Sequence, residues 1–196
     1  MKLNKSILYI YDNVFLELYN DKFYIQTISK QILNNGIILN KEKFEKEYYN
    51  FQKKNKIKKV FTKKVIIYDS TISINDLKVL KESFLDLNLK CSKYIKDISV
   101  IESTKKYAYI LGNDKLKILY INAFNSKNQI TLNFNEITNN EFLNIIKKFK
   151  NIILISSNQK LINLLEKKNN VFIINDAEKY IIKNVKNNLA DVLFKD

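Results

Sequence analysis

The order of predicted secondary structure occurs twice along this chain, and that repeat limits the folds available to its 196 residues. Strands are predicted where apolar and β-branched runs end in turn residues, and helices where apolar residues recur at spacings of three and four. Each half contains three strands, a helix, a strand, a helix, a strand and a final helix. Because strands and helices alternate in many α/β chains, a chain without any duplication remains the alternative.

The predicted boundaries follow from the runs and their turns. In the first half the strands are at residues 7–11, 14–19, 22–28, 63–68 and 92–95, and the helices are at 41–54, from Ser73 to about 87, and from 96 to about Ser103. In the second half the strands are at 107–111, 116–123, 129–134, 152–155 and 171–174. The first helix of that half starts at Thr138, and the other two are at 158–168 and 176–189.

Three of the predicted helices begin at capping residues. Asn40 is placed to cap the first helix. Ser73 with Asp76, and Thr138 with Glu141, have the spacing of capping boxes. Apolar stripes follow the two boxes, formed by Leu77, Leu80, Phe84, Leu85 and Leu87 after the first and by Phe142, Ile145, Ile146 and Phe149 after the second.

The composition restricts the chemistry available to the chain. Hydrophobic residues make up 46% of it, enough to bury one large domain or two small lobes. There is no histidine, which removes the commonest general base and metal ligand at neutral pH. The single cysteine, Cys91, follows an apolar helix pattern, which indicates a packed thiol rather than a nucleophile.

The formal net charge of +14 suggests a polyanion as partner, but the kind of basic residue argues against nucleic acid. All 34 basic residues are lysines, so the two-pronged contacts of arginine with phosphate and guanine are missing. The lysines at 53, 54, 56, 58 and 59 are predicted to form a solvated helix end. Lys63 and Lys64 are predicted to form a solvated entry to a strand. Nucleic acid is therefore not expected as a partner.

Nothing in the sequence has the pattern of a membrane span or a signal peptide. The apolar stretch near the N-terminus is interrupted by Asp12, and no apolar run approaches the roughly 18 residues that a span requires. We therefore expect a cytoplasmic protein, either free or peripheral to the inner face of the membrane.

Four segments, taken in order, resemble the actin-like ATPase superfamily, whose bacterial members include MreB, FtsA and PilM. Residues 36–40 (GIILN) are similar to the segment before the helix that leads to the central sheet. Residues 65–73 (VIIYDSTIS) resemble an MreB-type strand and turn. Residues 152–158 (IILISSN) and 171–177 (VFIINDA) resemble the adenosine motif and the strand that follows it.

This resemblance implies an α/β fold of two duplicated ribonuclease-H-like lobes with mixed sheets. The lobes are expected at residues 1–104 and 105–196. The segments between each meander and the following helix are too short for the family's inserted subdomains. Both outer subdomains are therefore expected to be missing or vestigial, which argues against an ordinary actin-like filament.

The same resemblance places the nucleotide loops, and all three depart from the family pattern. One alignment puts Leu8 and Ile10 at the aspartate and glycine of the first phosphate turn, and a shifted one puts Asp12 and Asn13 there. Glycine is needed in such turns because backbone N–H groups must approach the phosphates. The first turn is therefore expected to be degenerate in either alignment.

The other two loops have lost most of their glycines. In the second phosphate loop Gly112 is retained, followed by Asn113 and Asp114, and an ordinary hairpin turn is the alternative interpretation. The glycines of the adenosine motif are replaced by Ser156, Ser157 and Asn158. Phosphoryl transfer depends on positioning and charge stabilisation, so the sequence predicts neither catalytic residues nor a bound cofactor or metal.

Three functions fit these observations. The first is a non-catalytic scaffold or adaptor, a pseudo-ATPase of a pilus, secretion or cytoskeleton-like assembly, which binds a protein partner such as a peptide or cytoplasmic domain of a membrane complex. The second binds ATP without hydrolysing it. The third is a ribonuclease-H-like nuclease or nucleic-acid-binding protein, which would bring Asp12, Asp69 and Asp114 together to bind metal ions.

Overall fold

The computed structural model describes residues 4–58, 62–89, 91–101 and 105–189, which divide into two compact units. Unit 1 contains residues 1–100 and 182–196, and unit 2 contains residues 101–181. The expected lobes, residues 1–104 and 105–196, differ from these units in the placement of residues 101–104 and 182–196. Lys186 donates a hydrogen bond of 2.5 Å to Asp21 of unit 1, which ties that part of the chain to the first unit.

Unit 1 is built on a mixed five-stranded sheet with the strand order β3-β2-β1-β6-β7. The strands β1, β2 and β3 form the antiparallel meander, and β6 and β7 add parallel to β1. These strands are Asn4–Tyr11 (β1), Val14–Tyr19 (β2), Lys22–Thr27 (β3), Thr62–Tyr68 (β6) and Cys91–Lys96 (β7). The helices are Lys41–Lys54 (α1) and Ile74–Asp86 (α2), and a 3-10 helix covers Asp97–Val100.

A small hairpin that the sequence did not predict joins β3 to α1. It pairs Leu33–Asn34 (β4) with Ile37–Ile38 (β5). Its turn at Asn35 and Gly36 uses positive φ angles of 50° and 74°, which asparagine and glycine tolerate best. The family's inserted subdomain, expected to be absent here, would lie between β3 and α1. The residues described in that interval form only this hairpin and its connecting loops.

The core of unit 1 on the side of α1 and α2 is an aromatic cluster. Phe15 packs edge-on against Phe44 and Tyr48, and Tyr48 packs edge-on against Phe84. All four side chains are fully buried. Aromatic pairs in this geometry contribute roughly 0.5–1.5 kcal/mol beyond the area they bury. The cluster therefore fixes both helices against the sheet.

Unit 2 repeats this architecture with the strand order β10-β9-β8-β11-β12. The first three strands form an antiparallel meander, and β11 and β12 add parallel to β8. The strands are Ala108–Leu111 (β8), Lys115–Ile121 (β9), Lys127–Asn133 (β10), Ile152–Ile155 (β11) and Val171–Ile174 (β12). The helices are Asn139–Ile146 (α3), Gln159–Leu165 (α4) and Ala177–Asn184 (α5), whose last three residues belong to unit 1. The predicted duplication of elements is confirmed.

Most predicted elements agree with the structure within a few residues, and both capping boxes are present. Three details differ. Leu85, expected in the buried stripe of α2, is 68% exposed, because it lies on the outer face of that helix. α5 passes into a π-helical turn at Val185–Leu189. The helix predicted to reach Ser103 is a single 3-10 turn, and residue 103 lies outside the described residues.

Lys64 contradicts the prediction of a solvated strand entry. Its side chain is buried at 1% exposure, and its Nζ binds the buried carboxylate of Glu17 on β2. The same Nζ donates to the hydroxyl of Ser6 at 2.9 Å, and the hydroxyl of Tyr48 donates to the other oxygen of Glu17 at 2.8 Å. A charged pair therefore lies inside unit 1, and the hydroxyls of Ser6 and Tyr48 are hydrogen-bonded to it.

Candidate functional site

In units of this kind, a binding site is expected at the carboxyl ends of the parallel strands. In open sheets of this kind, ligands bind beyond these ends, where the connecting loops converge. In unit 1 the ends belong to β1, β6 and β7, and in unit 2 to β8, β11 and β12. All ten loop residues singled out in the sequence lie on these strands or directly after them.

In unit 1 the turn between β1 and β2 is formed by Asp12 and Asn13, as the shifted alignment predicts. Leu8 and Ile10, which the other alignment places at this turn, lie within β1 with 0% exposure. The turn is also tied to the chain that follows β3. The Asn13 amide donates to the carbonyl of Ile28 at 2.6 Å, and the N–H of Gly36 donates to the carbonyl of Asp12 at 2.8 Å.

The hairpin of β4 and β5 sits directly on the ends of β1 and β6. A Cβ atom placed on Gly36 would lie 3.3 Å from Asp69 Cβ and 3.7 Å from the carbonyl oxygen of Ile10. Gly36 is itself buried. The resemblance assigned this glycine to a linking segment, and here it allows the hairpin backbone to pack onto the strand ends. The backbone of the hairpin at Gly36 therefore packs closely against the ends of both strands.

The aspartates at this edge serve as local hydrogen-bond acceptors. Asp69 Oδ1 accepts from the N–H of Thr71 at 2.7 Å and from its hydroxyl at 2.6 Å. Asp97, which the sequence did not single out, is buried after β7 and accepts from the N–H of Ser70 at 3.1 Å and from the hydroxyl of Tyr9 at 3.2 Å. Both carboxylates thus order the loops in which they lie.

In unit 2, Gly112 is required by the shape of its own turn. Its φ is +119°, and a Cβ atom there would overlap the carbonyl oxygen of Lys115. Residues other than glycine rarely adopt such a conformation. The one glycine retained from the phosphate-loop pattern is therefore explained by the hairpin turn, which is the alternative left open by the sequence.

Five side chains at this edge are joined by hydrogen bonds, and we call this set the Asn113 network. Its members are Asn113, Ser156, Ser157, Asn158 and Glu178. The oxygen of the Asn113 side chain accepts from the Ser156 hydroxyl at 3.1 Å and from the Ser157 N–H at 2.8 Å. Its amide donates to Glu178 at 2.9 Å, and the Asn158 amide donates to the Asn113 carbonyl at 3.3 Å.

Glu178 joins the network from the first turn of α5. Its second carboxylate oxygen accepts from the Ser157 hydroxyl at 2.8 Å, and that hydroxyl accepts from the N–H of Ala177 at 3.3 Å. Asn158 also caps α4 by accepting from Lys160 and Leu161. The sequence analysis missed Glu178. The sequence does show an acidic residue in the first turn of a predicted helix. Its contact with Asn113 could not be predicted, because the two residues are 65 positions apart in the chain.

The chemistry of this edge differs from that of a phosphate-binding loop. The amide and hydroxyl groups of the network are bonded to one another, and the half-buried carboxylate adds negative charge, which disfavours a phosphate. Among the described residues, no group of three or more acidic or cysteine side chains is placed to hold a metal ion. Asp12 and Asp69 belong to unit 1 and Asp114 to unit 2, so the carboxylate cluster of the nuclease hypothesis is not formed within either unit.

The Cys91 thiol does not add a nucleophile. It is half-buried at the start of β7, and burial raises its pKa above the ordinary value. Since the thiolate is the reactive form, this agrees with the predicted packed thiol.

In the part of the chain that the structure describes, no helix is long and apolar enough to cross a membrane.

Comparison with known proteins gives similarity in structure only. No protein-family model matches the chain, and no curated protein matches its sequence. MreB 5 of Spiroplasma citri, in its AMPPNP-bound structure, matches with a TM-score of 0.63 at 8% identity, over 98% of this chain and 97% of that chain. The MamK double helical filament matches with a TM-score of 0.57 at 8% identity, over 89% and 95% of the two chains.

A third structural match also spans nearly the whole of both chains. A protein of Bacteroides thetaiotaomicron with an actin-like ATPase fold matches with a TM-score of 0.54 at 11% identity, over 100% of this chain and 97% of that chain. At these identities the matches show a common fold and nothing about activity. The chain therefore has the actin-like ATPase fold, built as two ribonuclease-H-like lobes with a mixed five-stranded sheet in each.

Proposed function

We propose that this protein is a non-catalytic actin-like scaffold or adaptor, a pseudo-ATPase that acts through its surfaces. The Asn113 network carries the proposal. It uses the residues at the second phosphate loop and at the adenosine motif to bind one another, and it places a carboxylate among them. A nucleotide would have to break several of these hydrogen bonds. The Ser156 hydroxyl is buried, and a buried polar group left unpaired costs about 1–3 kcal/mol.

The arrangement in unit 1 supports the same function. The hairpin around Gly36 packs on the carboxyl ends of β1 and β6, and the turn at Asp12 and Asn13 is held by backbone bonds. We infer that the protein acts by binding a peptide or domain of a partner protein and does not act by binding or hydrolysing a nucleotide. A pilus, secretion or cytoskeleton-like assembly at the inner face of the membrane fits such an adaptor.

Titration with Mg-ATP separates this proposal from the ATP-binding alternative. A ligand at 100 times its Kd stabilises a protein by about 2.7 kcal/mol. For a chain of this size, each kcal/mol raises the thermal midpoint by about 2–4 °C. We expect 5 mM Mg-ATP to change the midpoint by less than about 1 °C and expect no phosphate release above the buffer rate.

Magnesium tripolyphosphate at equal concentration is the control, because a chain of net charge +14 attracts any polyanion. A shift that Mg-ATP and tripolyphosphate cause equally is nonspecific. A shift specific to Mg-ATP, enlarged in the Glu178→Gln variant where the network loses its negative charge, would refute the pseudo-ATPase proposal and establish nucleotide binding at the network.

A further inference from the structure

The opposite edge of the unit 2 sheet gathers lysines from three separate segments. Strands β8, β11 and β12 are parallel, and β11 lies between the other two. Their amino ends therefore lie along one edge of the sheet, over a width of about 10 Å. The segments leading into them are residues 105–107, 147–151 and 166–170, which carry one glutamate, Glu166, and seven exposed lysines: Lys105, Lys106, Lys147, Lys148, Lys150, Lys167 and Lys168. We call these lysines the lysine platform.

The platform is held together by a repeated contact. The Asn151 amide donates to the carbonyl of Lys106 at 3.2 Å, and the Asn170 amide donates to the carbonyl of Lys150 at 3.1 Å. Backbone bonds of 2.9 Å run beside each, from Ala108 to Asn151 and from Ile152 to Asn170. The three segments are therefore fixed relative to one another, and their charges are kept close despite mutual repulsion.

Two recesses with apolar floors lie on either side of the middle segment. The larger, of about 610 Å³, is lined by the buried or half-buried Leu143, Ile146, Ile152 and Val171, by Lys147 and Lys168, and by three asparagines. The smaller, of about 280 Å³, is lined by Tyr107, Tyr120, Phe149 and four of the lysines. None of the residues that line either recess is acidic.

We propose that the lysine platform is the docking surface for an acidic peptide segment of a partner protein, with apolar side chains that enter the two recesses and carboxylates that meet the lysines. This inference rests on the proposed adaptor function and names the chemistry of its partner. Charge complementarity carries it, since seven lysines face solvent around floors that are apolar and uncharged.

The aromatic residues of the smaller recess favour a peptide over single-stranded nucleic acid. Bases bind such surfaces by stacking on open aromatic faces. Here the Lys106 ammonium lies 5.2 Å from the centre of the Tyr107 ring, and the Lys148 ammonium lies 5.8 Å and 5.3 Å from those of Tyr120 and Phe149. The three rings are half-buried and each has an ammonium group near its centre, which leaves less open aromatic surface for bases. An anionic membrane would require protruding apolar groups, whereas these groups form floors.

The test compares three forms of the full chain, which are the wild type, a platform variant and a control variant. The platform variant carries Lys106→Glu, Lys148→Glu and Lys168→Glu, one change in each segment. The control variant carries Lys30→Glu, Lys43→Glu and Lys46→Glu, which are exposed lysines of unit 1 and lower the net charge equally. A displayed library of random 12-residue peptides is selected on the wild type, and the leading peptide is synthesised with a fluorescein label.

We expect selected peptides to be enriched in Asp and Glu together with apolar residues. The leading peptide should bind the platform variant at least tenfold more weakly and the control variant within twofold of the wild type. In ¹⁵N NMR spectra of the wild type, its addition should shift amide signals from the three segments. That spectrum supports the site even if the platform variant fails to fold.

Other outcomes overturn the inference. These are the absence of enriched acidic peptides, equal losses in both variants, or signal shifts away from the three segments. Tighter binding of a 20-nucleotide single strand or of phosphatidylserine vesicles, lost in the platform variant alone, would assign the surface to that partner instead. The Mg-ATP titration is run in parallel, so that failure of the adaptor function is recognised separately from failure of this surface.

Discussion

The charged pair of Glu17 and Lys64 shows how much a single residue depends on its surroundings. Lys64 belongs to a run of lysines that looks solvated in sequence, yet both partners lie inside unit 1. Burial, followed by the neighbouring Glu17, holds the pKa of Tyr48 well above its ordinary value. Its hydroxyl therefore stays protonated and donates to Glu17. The carboxylate is thus satisfied by Lys64, Ser6 and Tyr48 together.

Removing one partner of this pair should be far more harmful than removing both. Lys64→Met leaves a buried carboxylate without its cation, and we expect it to lower the free energy of unfolding by about 3–5 kcal/mol. The double variant Glu17→Leu, Lys64→Met should lose clearly less than Lys64→Met alone. Urea unfolding followed by circular dichroism measures both. A loss under about 1 kcal/mol for Lys64→Met would contradict this account.

Short-range sequence rules work well at the scale of single elements. Asn40, Ser73 and Thr138 cap their helices as predicted, because a cap depends on residues within one turn. The strands of both meanders were also recognisable from their turns. The β4–β5 hairpin was not, since two-residue strands have too little pattern, and its stability comes from packing on Asp69 and Ile10.

The capping box of α3 makes a prediction about pH. Hydrogen bonds from the Thr138 backbone N–H, and then from its hydroxyl, lower the pKa of Glu141 below its ordinary value of 4.5. A carboxylate with a lowered pKa in the folded state adds stability above pH 4.5, and that stability is lost as the pH falls through the folded pKa.

We therefore expect the wild type to be more stable than the Glu141→Gln variant at pH 7, with the difference shrinking below pH 4.5. Urea titrations at pH 7, 5, 4 and 3 measure it. Glu136→Gln, on an exposed neighbouring loop, serves as the comparison for general charge effects. A difference that is constant with pH would show that the ionised form of Glu141 contributes nothing to the cap.

At the scale of the whole molecule, the two units share one architecture and treat their strand ends differently. Unit 1 covers them with a hairpin, and unit 2 fills them with the Asn113 network. The actin-like fold is thus compatible with loops that bind their own chain. At the other edge of unit 2, the platform holds seven of the twelve lysines of that unit.

Assembly should therefore not respond to nucleotide. A nucleotide shifts an assembly equilibrium only if it binds one state better than the other. We expect high-speed sedimentation to pellet the same fraction of protein with Mg-ATP, with Mg-ADP and with neither. Magnesium tripolyphosphate again controls for polyanion effects. A rise in the pellet with Mg-ATP alone would show a nucleotide-dependent polymer and contradict the proposed function.

The sequence by itself determined the order of strands and helices and the helix caps, because each depends on neighbouring residues, and the repeated order showed the duplication. Only the tertiary structure decided that Lys64 is buried against Glu17, 47 residues away, and that Glu178 closes the network around Asn113. It also brought three lysine-bearing segments to one sheet edge. These contacts depend on which strands pair and in which register, and nothing local in the chain specifies that pairing.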